Sequence, residues 1–395
     1  MRKAFLSVIV FVIFFTHLTF AQDSLITAMA KNNMTLFTKA GSNFTGEGWA
    51  KILNQAKGSS NVLVGEDHFT NETPFFVNAL ATQIKFDNFF CEIDPFTATI
   101  LQDKIKHLPA WELEKYVADY GSTFSFYAFN PEFDLLKQLT KSNTIINGTD
   151  QILLVGDRLI CNELQKSTKS KAAKNIYERI KNNSRLYFDN FLKDQSKPFY
   201  LLTPDFEKNL DELSALKLSD YEVKIIAALR LSVKIYKSQS NHLRIQLMKN
   251  QLMQSYQQWQ NKKNLFKYGA NHVSKGEGLM QIYDIGNLVN NVADSQFGKS
   301  FHVMVLGISG EQASPFKGFP AEKIDGNSSI LKALNPIVKM VEGQQWYCFD
   351  MLPLQEAIEA GTLSVKNMKM KRIIKGYDML VIIPKVTAAK FVPVN

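Results

Sequence analysis

Short apolar runs that end in glycine and polar residues recur along this chain. The first run, residues 62–64, is followed by Gly65, Glu66, Asp67 and His68. A run of this length predicts a buried strand, and polar groups left unpaired inside a core would be costly. In open α/β sheets, ligands collect outside the carboxyl ends of the strands. The pattern therefore predicts a site at the end of the first strand, with a plain polar loop as the alternative.

Three later apolar runs, residues 88–91, 144–147 and 264–268, end in the same way. The polar residues that follow them are, in chain order, Glu92, Asp94, Asp150, Gln151, Asn271 and His272. Segments with helical periodicity separate the runs, and further strands are predicted at 301–306, 345–349 and 379–383. This alternation predicts an α/β fold with a mostly parallel or mixed central sheet covered by helices.

A long helical stretch interrupts the alternation. Residues 151–260 have helical periodicity and almost no strand pattern, which predicts a large helical insertion. The predicted division is 22–150 and 261–395 for the two parts of the α/β domain, with 151–260 as an insertion that caps the site. A separate helical subdomain without a catalytic role is the alternative. A helix is also predicted from residue 274 or 275, extending to include Ile285.

The N-terminus has the layout of a secretory signal peptide. A basic start, an apolar segment and a small residue at Ala21 predict cleavage after residue 21 and a periplasmic or extracellular protein. An uncleaved N-terminal anchor is the alternative. Export would allow one disulfide among Cys91, Cys161 and Cys348, although Cys91 lies in an apolar strand and is predicted to be a buried free thiol.

The chain is basic, with a formal net charge of +9. The positive residues lie in separate patches at 166–181, 262–263 and 369–372, and none of them belongs to a nucleic-acid-binding module. A solvated basic surface is predicted, with an anionic envelope surface as a possible peripheral partner and no nucleic acid. The predicted partner of the site is a small-molecule or peptide substrate, and the oligomeric state stays open.

The polar strand ends are rich in carboxylate and imidazole, and they contain no obvious nucleophile. The sequence lacks a Gly-x-Ser-x-Gly elbow and a Walker phosphate loop. Among the histidines, only His68 and His272 follow a strand and a glycine. His68 could act as a general base oriented by a carboxylate. Alternatively, a divalent metal could acidify water, and its candidate ligands are Glu66, His68, Glu92 and His272.

Several of these motifs resemble a known superfamily. Gly65-Glu66-Asp67-His68 is similar to the Gly-Glu-x-His start of the ChaN-like haem-binding proteins and to the Gly-Glu-x-x-His motif of the erythromycin esterases. The segments 90–92, 148–151 and 268–273 resemble later motifs of the esterases, although Gly269 stands where a first histidine would be expected. Together with the Tiki and TraB proteins, these families share two Gly-x-x-His-type motifs.

The resemblance implies a hydrolase that cleaves an ester or amide with activated water, and the N-terminus predicts that it is exported. His68 would be the base, Glu66 and Glu92 would support it, and His272 would place the water or the substrate. Asp150 completes the candidate catalytic set, and the candidate substrate-binding residues are Asp67, Asp94, Asn271 and Gln151. The alternatives are a ChaN-like protein that takes up a metal or haem, with Tyr268 or Tyr127 as axial ligand, a Tiki-like metal-dependent protease, and a scaffold whose site is degenerate.

Overall fold

The computed structural model describes residues 23–393. The predicted signal peptide, residues 1–21, therefore lies outside the described residues. Among the helices of residues 23–393, none is both long enough and apolar enough to cross a membrane.

The described residues alternate between strands and helices. The strands are β1 (Met34–Ala40), β2 (Asn43–Thr45), β3 (Asn61–Glu66), β4 (Asn88–Cys91), β5 (Ile145–Gly148), β6 (Asn264–Gly269), β7 (Ser300–Gly307), β8 (Gly310–Gln312), β9 (Glu322–Ile324), β10 (Trp346–Asp350) and β11 (Met379–Ile383). The helices are α1 (23–32), α2 (Glu47–Gly58), α3 (Glu72–Gln83), α4 (Pro95–His107), α5 (Ala110–Tyr120), α6 (Asn130–Lys141), α7 (Asp157–Ser167), α8 (Lys171–Lys193), α9 (Pro204–Ser214), α10 (Asp220–Ser238), α11 (Asn241–Gln254), α12 (Tyr256–Trp259), α13 (Ile285–Ser295), α14 (Ser329–Ala333), α15 (Asn335–Val338), α16 (Leu352–Glu359) and α17 (Met368–Gly376).

The chain divides into two compact units. Of the described residues, unit 1 contains 23–67, 269–311 and 323–387, and unit 2 contains 68–268, 312–322 and 388–393. The chain passes from unit 1 to unit 2 between Asp67 and His68, and it returns at Gly269.

Unit 1 contains a mixed sheet. Its strands follow the order β2-β1-β10-β11-β7-β3. β3, β7 and β11 are parallel to one another, whereas β11, β10, β1 and β2 pair in antiparallel fashion. All six residues of β3 are buried, as expected for a parallel strand that is covered on both faces.

Unit 2 contains three parallel strands in the order β6-β4-β5. Phe89 of β4 lies opposite Leu265 of β6 and Ile146 of β5. The carboxyl ends of these strands therefore meet at one edge. The first polar residues past β4 and β5 are Glu92 and Thr149, with Asp150 next.

Helices alone connect β5 to β6. Residues 149–263, which the structure describes throughout, contain α7 to α12 and no strand. Their apolar faces form a core that includes Ile160, Tyr177, Leu210 and Leu229. The predicted α/β class with a mixed sheet and a large helical insertion is confirmed, while the predicted domain boundaries stay a prediction.

One predicted helix starts later than expected. Instead of beginning at residue 274 or 275, α13 begins at Ile285, and the side chain of Asp284 caps it by accepting a hydrogen bond from the Ile285 backbone N–H at 2.7 Å. The preceding residues form a loop in which a Cβ on Gly278 would lie 2.8 Å from the carbonyl oxygen of Asn271. This close approach requires glycine, and the apolar spacing did not reveal it.

Cys91, Cys161 and Cys348 are all buried free thiols. The predicted buried thiol at Cys91 is confirmed, and the disulfide that the sequence left open does not form. Burial raises the pKa of the Cys91 and Cys348 thiols to about 12.

Candidate functional site

His68 is held against an aromatic ring just after β3. Its imidazole stacks on Phe126, with ring centroids 4.3 Å apart and planes inclined by 22°. The next residue, Phe69, has a φ of 64°, a conformation that non-glycine residues rarely adopt. Its backbone carbonyl accepts hydrogen bonds from the backbone N–H groups of Ala313 and Ala389, which fix this turn. The turn therefore directs a partly exposed imidazole to a defined position.

Glu92 is a carboxylate that lies close to His68. It follows β4 and is buried, and its Oε2 lies 3.7 Å from Nε2 of His68. This distance suits an ion pair and is too long for a direct hydrogen bond. The other carboxylate oxygen, Oε1, accepts a hydrogen bond of 2.6 Å from Nη2 of Arg244.

Arg244 joins Glu92 to Asp150. Its Nε donates to Oδ1 of Asp150 at 2.9 Å, and its Nη2 donates to Oδ2 of the same carboxylate, so the contact is bidentate. Burial alone would lower the pKa of Arg244, but Asp150 and Glu92 outweigh it and raise that pKa well above its ordinary value. The guanidinium is thus a fixed positive charge that is bound to both carboxylates.

A cavity of about 230 Å³ adjoins this ion triplet. Its walls include Glu92, Asp150 and Arg244, together with Phe126, the ring on which His68 stacks. The other lining residues are Ile93, Asp94, Thr97, Thr123, Ser125, Gln151, Leu153 and Tyr236. All of these residues belong to unit 2.

Asp94 has a structural task at this cavity. It caps α4, because its Oδ1 accepts hydrogen bonds from the backbone N–H groups of Phe96 and Thr97. Burial raises the pKa of Asp94 to about 6, and the hydrogen bonds from Thr97 and Phe96 oppose that rise.

A second imidazole–carboxylate pair lies in unit 1. Nδ1 of His272 donates a hydrogen bond of 2.7 Å to Oδ2 of Asp284, and both side chains are buried. Gly65 lies close to the same segment, since a Cβ there would be 2.5 Å from Cγ2 of Val273 and 3.0 Å from Cα of Ala270. The glycine of the first Gly-x-x-His motif thus packs against the residues around the second histidine.

The predicted site residues therefore fall into two groups. The structure brings His68, Glu92 and Asp150 together in unit 2, and it places Asp94 and Gln151 in the wall of their cavity. The predicted residues that belong to unit 1 are Glu66, Asp67, Asn271 and His272. Glu66 is buried as the last residue of β3, while Asp67 and Asn271 are half-buried.

Sequence reasoning missed Arg244, Tyr236 and Asp284. Arg244 lies on α11 two residues after His242, and a charged side chain on such a helix usually faces solvent. The capping position before a helix could have drawn attention to Asp284, but the helix was predicted to start earlier. Phe126 lies in an aromatic stretch, and most such stretches serve only in packing.

His302 is structural. Its Nδ1 donates to the carbonyl oxygen of Val273 at 2.6 Å, and its Nε2 shares a hydrogen bond of 2.8 Å with the hydroxyl of Ser300. Burial, together with the nearby Lys275, lowers the pKa of His302 to about 3. The side chain is therefore neutral at physiological pH.

The described residues do not form a metal cluster. Within residues 23–393, no three His, Cys, Asp or Glu side chains are grouped so that they could hold a metal ion. The guanidinium of Arg244 already supplies a positive charge to the carboxylates of Glu92 and Asp150. The predicted ligand set of Glu66, His68, Glu92 and His272, which is divided between the two units, stays a prediction.

Comparison with known proteins identifies the fold that carries this site. Neither a protein-family profile nor the sequence of a curated protein matches the chain. Among solved structures, a mutant of the erythromycin esterase EreC in its open conformation is similar, with a TM-score of 0.55 and 12% sequence identity over 87% of this chain and 95% of that one. The chain has the erythromycin esterase fold.

Two further structures share this fold. A succinoglycan biosynthesis protein matches with a TM-score of 0.54 and 11% identity, covering 94% of this chain and 99% of that one. A Bacillus cereus protein matches with a TM-score of 0.52 and 14% identity, covering 93% and 99% of the two chains. The resemblance predicted from the sequence motifs is therefore confirmed at the level of the fold.

Proposed function

We propose that this chain is a hydrolase that cleaves an ester or amide with a water molecule activated by His68. The observation that carries the proposal is the position of the imidazole between the ring of Phe126 and the carboxylate of Glu92. Phe126 limits the rotation of the imidazole, and Glu92 stabilises the positive charge that develops on it.

In the proposed reaction, His68 removes a proton from water while the oxygen attacks the carbonyl carbon. The imidazolium then returns the proton to the leaving alkoxide or amine as the bond to the carbonyl carbon breaks. Arg244 donates a hydrogen bond to Glu92 and so holds that carboxylate in place throughout this cycle. Asp150 holds the guanidinium from its other side and acts as a positioning residue.

Substitution of the proposed base tests this mechanism. We expect His68→Ala to lower kcat/KM by about 10²–10⁴-fold on 4-nitrophenyl ester and 4-nitroanilide substrates, the usual contribution of a general base. His242→Ala is the matched control, because His242 is an exposed histidine on α11. Both variants should keep the circular dichroism spectrum of the wild type, and wild-type turnover by His68→Ala would refute the proposal.

Glu92→Gln tests the role of the carboxylate separately. The amide preserves the shape of the side chain but removes its charge, so the imidazolium loses the counter-charge that Glu92 provides. We expect kcat to fall more than KM rises, because the charge on His68 develops in the transition state. An unchanged kcat would show that Glu92 serves only to bind Arg244.

Other predictions about this chain stay predictions. They include the participation of His272 in the same reaction, a peripheral envelope partner, and export through residues 1–21, which a fractionation of expressing cells would test. Haem binding also stays a prediction, although the hydroxyl of the candidate ligand Tyr268 is buried and shares a hydrogen bond of 2.7 Å with Thr149.

A further inference from the structure

The cavity beside the ion triplet carries an excess of negative charge. Three carboxylates line it, those of Glu92, Asp94 and Asp150, and Arg244 is its one lining cation among the described residues. Although burial raises the pKa of Asp94 to about 6, its carboxyl group is still largely ionised above pH 7. A cation that entered the cavity would balance this excess.

Two further walls of the cavity offer hydrogen-bonding atoms. Thr123 and Gln151 are only 2% and 8% exposed, and both residues line the cavity. Within the described part of the chain, Oγ1 of Thr123 and Oε1 of Gln151 have no hydrogen-bond partner. A buried oxygen without a partner is destabilising, so most such atoms in proteins are paired.

Both of these unpartnered atoms are oxygens. The amide oxygen Oε1 of Gln151 can only accept a hydrogen bond, and the hydroxyl oxygen of Thr123 can accept one as well. The unpaired groups are thus acceptors and call for a donor.

We propose that the substrate carries a protonated amino group, which binds in this cavity beside Thr123 and Gln151 while the scissile carbonyl lies at His68. An ammonium group has three N–H donors and one positive charge. It would supply the missing partners of the two oxygens and balance the carboxylates at once. The inference rests on the proposed hydrolase function, because it assigns the substrate class of that site.

The ring of Phe126 connects the cavity to the proposed base, His68. Phe126 lines the cavity and also stacks on His68, so the amino group and the scissile bond would belong to one small substrate. A neutral ester of the same size would leave the oxygens unpaired and the carboxylates unbalanced. Selectivity for the amine over its neutral isostere is therefore the measurable consequence.

A matched pair of esters tests this selectivity. The 4-methylumbelliferyl esters of 6-aminohexanoate and heptanoate differ only in a terminal ammonium group or methyl group. We expect kcat/KM to be at least about tenfold higher for the amino ester, since a hydrogen bond to a charged group contributes about that factor or more. Equal values, or a preference for heptanoate, would overturn the inference.

Two variants test whether Thr123 and Gln151 bind the amino group of the substrate. Thr123→Val and Gln151→Met remove the oxygens with little change in volume, and each should lower the ratio of the two kcat/KM values by about tenfold. Thr99→Val is the matched control, because Thr99 is exposed on α4 and lies outside this cavity. A ratio unchanged in both test variants would overturn the assignment of the amino group to this cavity.

Binding without turnover separates this inference from the proposed function. Calorimetric titration of His68→Ala with 6-aminohexanamide and heptanamide reports recognition alone. Preferential binding of the amine, with neither ester hydrolysed by the wild type, would support the amino-group site and refute the hydrolase proposal. Equal binding, or no binding of either amide, would overturn the inference even if both esters are hydrolysed.

Discussion

The imidazole of His68 lies face to face with the ring of Phe126, with the two centroids 4.3 Å apart. Phe126 in turn packs against Phe69, at a centroid distance of 5.4 Å. A short 3₁₀ segment, Gly121–Ala128, supplies this ring, and within it Ser125 has a φ of 52°. The position of the proposed base thus depends on an aromatic side chain from a separate segment with an unusual backbone.

Removing the ring should impair catalysis more than binding. In Phe126→Leu the imidazole of His68 gains rotational freedom, and small misplacements of a catalytic group can lower the rate by as much as about 10²-fold. We expect kcat to fall by about 10–100-fold with little change in KM, and Phe126→Tyr should retain most of the activity. Steady-state kinetics on the hydrolysed ester measure both quantities.

Phe297→Leu is the control for this substitution, because Phe297 is fully exposed on the surface of unit 1. It should leave kcat unchanged. A kcat for Phe126→Leu equal to that of the wild type would show that the stacking does not position His68.

Arg244 should be important for stability as well as for the site. Arg244→Met leaves Glu92 and Asp150 buried without their cation, and breaking a buried ion pair on one side typically costs about 3–5 kcal/mol. We expect a loss of this size in the free energy of unfolding measured with urea. The comparison variant is Arg230→Met, which breaks the exposed pair with Asp211 and should cost less than about 1 kcal/mol. Similar losses in the two variants would argue against a buried triplet.

The apolar runs predicted the fold well because a parallel strand buried on both faces must be apolar along its whole length. β3, β4, β5 and β6 all coincide closely with predicted runs, and their polar ends could be recognised for the same reason. His68, Glu92 and Asp150 were found in this way. Each follows a strand, so a local pattern was sufficient.

The partners of these residues could not be found locally. Arg244 lies 94 residues after Asp150 and 152 residues after Glu92, and no periodicity links positions so far apart. Asp284 was hidden for a different reason. The spacing of apolar residues after Lys275 suggested a continuous helix, whereas the close packing of Gly278 against Asn271 keeps that segment in a loop. At both Arg244 and Asp284, tertiary contacts decided the structure, and the local sequence pattern did not predict them.

Asp157 should make stability depend on pH. It is fully buried at the start of α7, where Ser184 donates a hydrogen bond of 2.7 Å to its Oδ1, and burial raises its pKa to about 7. Because the pKa of the folded state lies above the ordinary value of 3.8, the protonated form stabilises the fold. This contribution is fully present below about pH 4 and is lost as the pH rises through about 7.

Asp157→Asn should remove this dependence, because the neutral amide can still accept from Ser184. At pH 8 we expect the variant to be more stable than the wild type by an amount on the order of a few kcal/mol, since each pKa unit corresponds to about 1.4 kcal/mol. Urea unfolding between pH 5 and 8 measures the effect. Asp294→Asn, at an exposed acid on α13, serves as the control and should follow the wild type. Parallel curves for Asp157→Asn and the wild type would contradict the prediction.

Lys267 and Glu132 form an ion pair in the core of unit 2. Nζ of Lys267 on β6 lies 2.6 Å from Oε1 of Glu132 on α6, and the side chains are only 2% and 3% exposed. Lys267→Met should lower the free energy of unfolding by about 3–5 kcal/mol, because it leaves a buried carboxylate without its cation. Lys267→Met combined with Glu132→Leu should recover much of that loss, since apolar side chains of similar volume often replace a buried pair at little cost.

Urea unfolding of both single variants and the double variant completes a thermodynamic cycle. The pair is predicted to show a coupling of more than about 1 kcal/mol, since each single substitution removes the ion pair while the other charge stays buried. Additive losses would mean that each residue is stabilised by other neighbours and that the pair itself contributes little.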